Sequence, residues 1–249
     1  LWTAVMLVMT TLFFKKWKLF IKSISNKKNL FYLFISGSLI FINWAIWIYA
    51  VATERIIDAS FGYFIMPIIS IFLGYFFFQE SLTFKSKISI SIVIFSILYL
   101  LFSNFNSIPW VGLVVALSWS FYNLLRKKIN VDTDVGLFIE SLFILPIGLV
   151  IAYFIYKTGN NDFSFEAPFN ILMLFFGGAM TVIPLFLFIK GLEKTTMATS
   201  GLIFFITPTS QFLLGFFYYN EPFSLTKLVS FIFIWIAVII YLKDLYETD

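Results

Sequence analysis

Uninterrupted apolar stretches recur roughly every 25–30 residues along this chain, long enough to be read as membrane-crossing helices. LFISGSLIFINWAIWIYAV and FIESLFILPIGLVIAYFIY are two of them. A helix of about 20 residues spans a hydrocarbon layer about 30 Å thick. A membrane β-barrel would need short segments that alternate apolar and polar residues, and these runs are continuous. The chain is 61% hydrophobic and 12% charged over 249 residues, with a mean hydropathy of +0.96. A soluble domain has about 45–50% and about 25%. The expectation is an all-α integral membrane protein with about nine transmembrane segments, at 1–14, 30–52, 60–79, 88–103, 109–125, 137–156, 171–190, 200–219 and 228–242. The fourth and fifth need their flanks to cross. The first is short, and its charges follow the apolar run, which is the wrong order for a signal peptide.

Charge sets the orientation. Of 17 Lys and Arg residues, 14 lie in one alternating set of connections. These are KKWKLFIKSISNKK, Lys85 with Lys87, Arg126 with Lys127 and Lys128, Lys190 with Lys194, and Lys243. Only Arg55, Lys157 and Lys227 fall in the other set. The positive-inside rule then puts the Lys-rich connections and the C-terminus in the cytoplasm, with the protein in the cytoplasmic (inner) membrane. Asp162 and Glu166 face out. Leu1 is left outside or within the membrane, so a further helix is expected upstream. Cysteine and histidine are both absent, which excludes disulfides, thiolate nucleophiles, imidazole bases and the usual zinc sites. No GxxxxGK[ST] loop is present, so ATP drive within the chain is not expected. With the lysines assigned to topology, nucleic acid is not an expected partner, and no cofactor is expected.

Two windows repeat: PIISIFLGYFFFQE from Pro67 to Glu80, and PTSQFLLGFFYYNE from Pro208 to Glu221. They share Pro67/Pro208, Leu73/Leu214, Gly74/Gly215, Phe76/Phe217 and Glu80/Glu221. Upstream, Glu54, Ala59 and Gly62 match Glu193, Ala198 and Gly201 after a two-residue offset. The windows are segments three and eight, five crossings apart, and therefore oppositely oriented. Inverted duplication is a recurring plan of secondary transporters, with the solute site near the midplane. The expected architecture is an inverted five-plus-five helix repeat with its first helix missing. Residues 1–103 form the first repeat, truncated at its start, and 104–249 the second, in one membrane domain. Proline inside a helix removes a backbone hydrogen bond and bends the chain. Pro67 with Gly74 and Pro208 with Gly215 are read as hinges, the alternative being static kinks in a packed bundle.

Polar groups inside apolar stretches mark candidate pathways. Glu140 is the one acidic residue well inside such a stretch. It is the candidate coupling group, binding a proton or a cationic group of the solute. The competing reading is a structural carboxylate paired with Lys128 or Lys190. Asn43, Trp44 and Trp47 are candidate solute-binding residues in segment two, because tryptophan ordinarily prefers the interface and aromatic faces hold cationic or aromatic solutes. Packing with Asn43 bonded across helices is the alternative. Trp119, Tyr122 and Asn123 form a similar set. Tyr63, Thr181 and Gln211 complete the solute-binding candidates, with Thr207 and Ser210 beside them, although such hydroxyls often back-bond to their own helix. Glu80 and Glu221 are read as helix-end groups with partners such as Lys85 and Lys227. Gly177 and Gly178 are read as close helix contacts.

ASFGYFIMPIISIFLGYFFFQE, preceded by NWAIWIYAV, resembles the RarD-type branch of the EamA family in the drug/metabolite transporter superfamily. LSWSFYNLLRKK, FIESLFILPIGL and PTSQFLLGFFYYNEPFSLTKLVSFIFIWIAV extend the resemblance from Trp2 to Tyr241. It implies ten helices in two inverted halves with both termini cytoplasmic. It also implies export or exchange of small metabolites or drugs through a central cavity, lined here by segments two, three, seven and eight among others. The family's first helix has no counterpart in this sequence. The function expected is therefore a secondary active transporter, not an enzyme, working by alternating access on a small-molecule solute within the lipid bilayer. A homodimer through outer helices is a further candidate. The alternatives are a membrane-embedded enzyme, which would need a cluster of acids, bases or metal ligands, and a non-transporting channel or scaffold subunit. A channel would carry a ring of like ligands.

Overall fold

The computed structural model describes residues 2–53, 56–103, 110–159, 168–207, 209–210 and 225–248. Among the described residues the regular structure is entirely helical. The helices are α1 (Trp2–Phe13), α2 (Trp17–Ser25), α3 (Lys27–Ala52), α4 (Ile56–Phe78), α5 (Phe84–Ser103), α6 (Trp110–Lys128), α7 (Thr133–Thr158), α8 (Pro168–Lys194), α9 (Met197–Ile203) and α10 (Leu225–Thr248). Each expected segment with described residues has a helix at its position, usually a few residues longer. Among the described residues, Lys27–Ala52, Thr133–Thr158 and Phe176–Lys194 are long and apolar enough to cross a membrane. In the second of the two repeated windows, Pro208, Gln211, Gly215 and Glu221 lie outside the described residues.

The contacts divide into two compact units, each drawing on both halves of the sequence. Unit 1 comprises Leu1–Phe41 and Leu125–Lys194. Within it α1 packs against α7 and α8, and α2 against α7. Gly178 permits the α1–α8 approach, since a Cβ there would come within 3.1 Å of the Trp2 backbone. Gly177 has nothing within 4 Å, so the expected close contact belongs to Gly178 alone. The Lys-rich stretch after α1 differs from the loop expected. It turns sharply at Lys15, whose φ of 54° is left-handed, with Lys15 N–H donating to Leu12 O and Lys16 N–H to Thr11 O. That is a Schellman-type helix end, usually made by glycine. The chain then forms α2, because Trp17 stacks on Phe20 and Phe20 packs on Phe138 of α7, while Lys18 and Lys22 are exposed. The first turns of α7, Thr133 to Glu140, are buried. Beyond Pro146 its apolar side chains are largely exposed, Leu149 to Ile151 and Tyr153 to Tyr156 among them, a face that suits lipid rather than water.

Unit 2 comprises Ile42–Leu124 and Thr195–Asp249. Here α5 packs along α10, and α4 along α9. The core is Ile71, Val93, Ile97, Leu202, Phe205, Ile234 and Ala237. Pro67 lies inside α4 and is buried. The end of α4 explains two repeated residues. Gln79 takes a φ of 54°, and Glu80 turns back over Gly74. Its carboxylate accepts the backbone N–H groups of Met197 at 2.7 Å and Ala198 at 3.2 Å, at the start of α9. A Cβ at Gly74 would lie 2.4 Å from Glu80 Oε2. Glu80 thus serves a helix end, but that of α9 rather than its own. Lys85 pairs instead with Glu247.

Candidate functional site

In unit 1 a charged pair is buried between apolar helices. Glu140 of α7 is 2% exposed and Arg126 of α6 is 3% exposed. Arg126 Nη1 lies 3.4 Å from Glu140 Oε1, and Arg126 Nη2 donates to Thr133 O at 3.1 Å. The Ser36 hydroxyl of α3 donates to the same Glu140 oxygen at 2.5 Å. Two glycines make the seat. A Cβ at Gly136 would lie 2.2 Å from Arg126 Nη1, and one at Gly37 would lie 3.3 Å from Glu140 Cα. Small residues let backbones approach and let a guanidinium lie between helices. Burying charges without partners is costly, so each member of this set depends on the others.

The partner differs from the lysines expected. Lys190 pairs with Glu193 at 3.2 Å, and the Thr133 hydroxyl donates to Glu193 at 2.5 Å. Nearby, Lys16 bridges Asp132 at 2.9 Å and Asp134 at 2.7 Å, tying the α1–α2 corner to the start of α7. Arg126 sits in the run RKK, which read as three topology charges; helix α6 carries the first of them inward.

In unit 2 the Asn43 amide donates to Val115 O at 2.9 Å and to Ser118 Oγ at 3.0 Å, joining α3 to α6. Trp47 meets Tyr63 of α4 edge to face at 5.5 Å, beside Ala50, Ala59 and Val111. Trp44 does not join them; it is 41% exposed. Helical geometry accounts for this, since positions 43 and 47 share a face and 44 is turned about 100° away. Tyr122 is fully buried, and Trp119 lies 5.8 Å from its ring and 5.4 Å from that of Phe204. Asn123 is buried, as is Ser70 on α4. In unit 1, the Thr181 hydroxyl bonds back to Gly177 O at 2.9 Å, the local bonding expected of such residues. No group of three or more carboxylates placed to hold a metal ion occurs among the described residues.

The sequence model of the EamA-like transporter family matches residues 1–102 and 107–243. This chain belongs to that family. The EamA-family chain is similar to the uncharacterized transporter YojE of Bacillus subtilis, 32% identical over 97% of this chain and 81% of that protein. It is also similar to protein RarD of Escherichia coli K12, 31% identical over 100% of this chain and 84% of that protein. A third relative, named chloramphenicol-sensitive protein RarD, is from Pseudomonas aeruginosa, 27% identical over 83% and 68%. The RarD resemblance read from the motifs is therefore borne out. The relatives and the apolar helices make this EamA-family chain a multi-pass membrane protein of transporter kind.

Proposed function

We propose that the chain is a secondary active transporter that exports or exchanges small organic metabolites or drugs across the cytoplasmic membrane by alternating access. The observation that carries this reading is the Ser36–Glu140–Arg126 set, an ionic group buried among membrane-type helices. Such groups are expensive in a membrane and recur in solute and ion pathways. Family membership and relatives named as transporters support the same reading. In this account Glu140 couples transport to protons or to a cationic group. In unit 2, Asn43, Trp47, Tyr63, Trp119, Tyr122 and Asn123 contact the solute. Pro67 with Gly74 and Pro208 with Gly215 absorb the bending as two inverted halves rock. The C-terminus is cytoplasmic and the chain performs no catalysis. The test is retention of labelled amines, amino acids and drugs by cells making the protein. Lower retention of one class, reversed by an uncoupler and lost in Glu140→Gln at equal expression, is expected. Unchanged uncoupler-sensitive efflux in Glu140→Gln would remove Glu140 from coupling, and equal retention of every class would count against export.

A further inference from the structure

Ser70 Oγ and Asn123 Oδ1 are buried polar atoms of unit 2 with no hydrogen-bond partner among the described residues. Ser70 is 1% exposed and Asn123 3%. Leaving such groups unpaired costs stability, so each asks for an explanation. The backbone contacts put them on facing surfaces. A Cβ at Gly62 of α4 would lie 2.4 Å from Gly112 O of α6. Further along both helices, the Ser120 hydroxyl donates to Met66 O at 3.3 Å. The contact advances toward the C-terminal end of each helix, so the two run parallel. Ser70 follows Met66 by four residues and Asn123 follows Ser120 by three, which keeps each on the contacting face one turn on. Met66 O, the carbonyl to which Ser70 would back-bond, is already engaged by Ser120. α9 closes a third side: a Cβ at Gly201 would lie 3.0 Å from Ser70 Cβ and 3.1 Å from Pro67 Cα. Trp119 and Phe204, edge to face, form an aromatic wall on the same elements.

We propose that Ser70 and Asn123 form a binding notch for an uncharged hydrogen-bonding group, a carboxamide or hydroxyl, borne on an aromatic ring of the transported solute. This rests on the transporter reading and names the solute class for part of its site. The hydroxyl both donates and accepts, and the amide carries donors and an acceptor, a set complementary to a carboxamide. Charge is disfavoured: Glu80, the carboxylate that reaches back over Gly74 one turn beyond Ser70, is engaged by the N–H groups of Met197 and Ala198, so an ion in the notch would lose its hydration without a free counter-ion. Pro67, inside α4 and one turn before Ser70, removes a backbone hydrogen bond, so α4 can give way there to admit a ring.

The test is binding of labelled benzamide to the purified full chain in detergent, with benzyl alcohol, benzylammonium and benzoate as competitors. Benzamide is expected to bind, benzyl alcohol to compete, and the two ions to compete at least tenfold more weakly. Ser70→Ala and Asn123→Ala are each expected to weaken benzamide about tenfold, one unit of log affinity. Ser70→Ala also carries a signature that a structural hydroxyl lacks: removing an unpaired buried oxygen leaves the thermal midpoint unchanged or raised while binding falls. No benzamide binding, equal competition by the ions, or a lowered midpoint with unchanged binding would each overturn the notch. Solute counterflow without benzamide binding keeps the carrier and removes the notch. Benzamide binding without counterflow of any solute keeps the notch and removes the carrier.

Discussion

Arg126 and Glu140 concentrate the chemistry of unit 1 in one contact. Removing one member of a buried pair strands the other, at about 3–5 kcal/mol. Arg126→Gln alone should therefore lower the unfolding free energy of the purified protein by about that amount. Arg126→Met with Glu140→Leu should recover most of the loss, because two apolar side chains strand no charge. Equal losses in the single and double variants would show that the pair does not act as a unit. Gly136→Ala should act through the same contact, since its Cβ would fall 2.2 Å from the guanidinium, with an overpacking cost of about 1–3 kcal/mol. Glu140 was legible in the sequence as an acid within an apolar run. Arg126 was not, because it begins a basic run and its partner lies on another helix. The exposed Trp44 and half-buried Trp47 were separable by helical period alone, once Asn43 was placed inside.

At the scale of elements, long apolar runs made the helices legible, while their ends depended on contacts between distant residues. Glu80 shows why: its partners, the N–H groups of Met197 and Ala198, are 117 and 118 residues away. Hydrogen bonds to a charged group contribute about 1.5–3 kcal/mol. Glu80→Ala should cost about that much and loosen α9, read as faster amide exchange at Ser200 and Gly201, with α5 unaffected. Unchanged exchange at α9 would contradict the capping role. The α5–α10 pairing ends in a similar polar tie beyond the apolar run of α10. Hydrogen bonds from Thr83 and Ser86 hold the Asp244 carboxyl below its ordinary 3.8, and Lys85 holds Glu247 below its ordinary 4.5. For groups depressed on folding, the stabilisation is complete above the unfolded values and is lost as pH falls through the folded ones. Amide protection in the last turn of α10 should fall below pH about 4. Asp244→Asn should weaken that pH dependence; identical acid profiles in the variant and the parent would contradict it.

At the scale of the whole molecule, the proposed carrier rests on a membrane fold, family membership and buried polar groups. Composition and the loop charges made the membrane class legible, and the motifs made the family legible. The solute was not, because the same apolar and aromatic helices suit many small molecules, and in the proposed notch selectivity would rest on two polar atoms, Ser70 Oγ and Asn123 Oδ1. The direct measurement is counterflow in proteoliposomes, loaded with one unlabelled solute class at a time and diluted into trace label. A carrier returns its empty site slowly and its loaded site quickly, so the account predicts transient, saturable accumulation of label for one class. It predicts none in protein-free liposomes. Label that merely equilibrates at a rate independent of the internal solute, with folded protein present, would contradict the carrier and favour a channel.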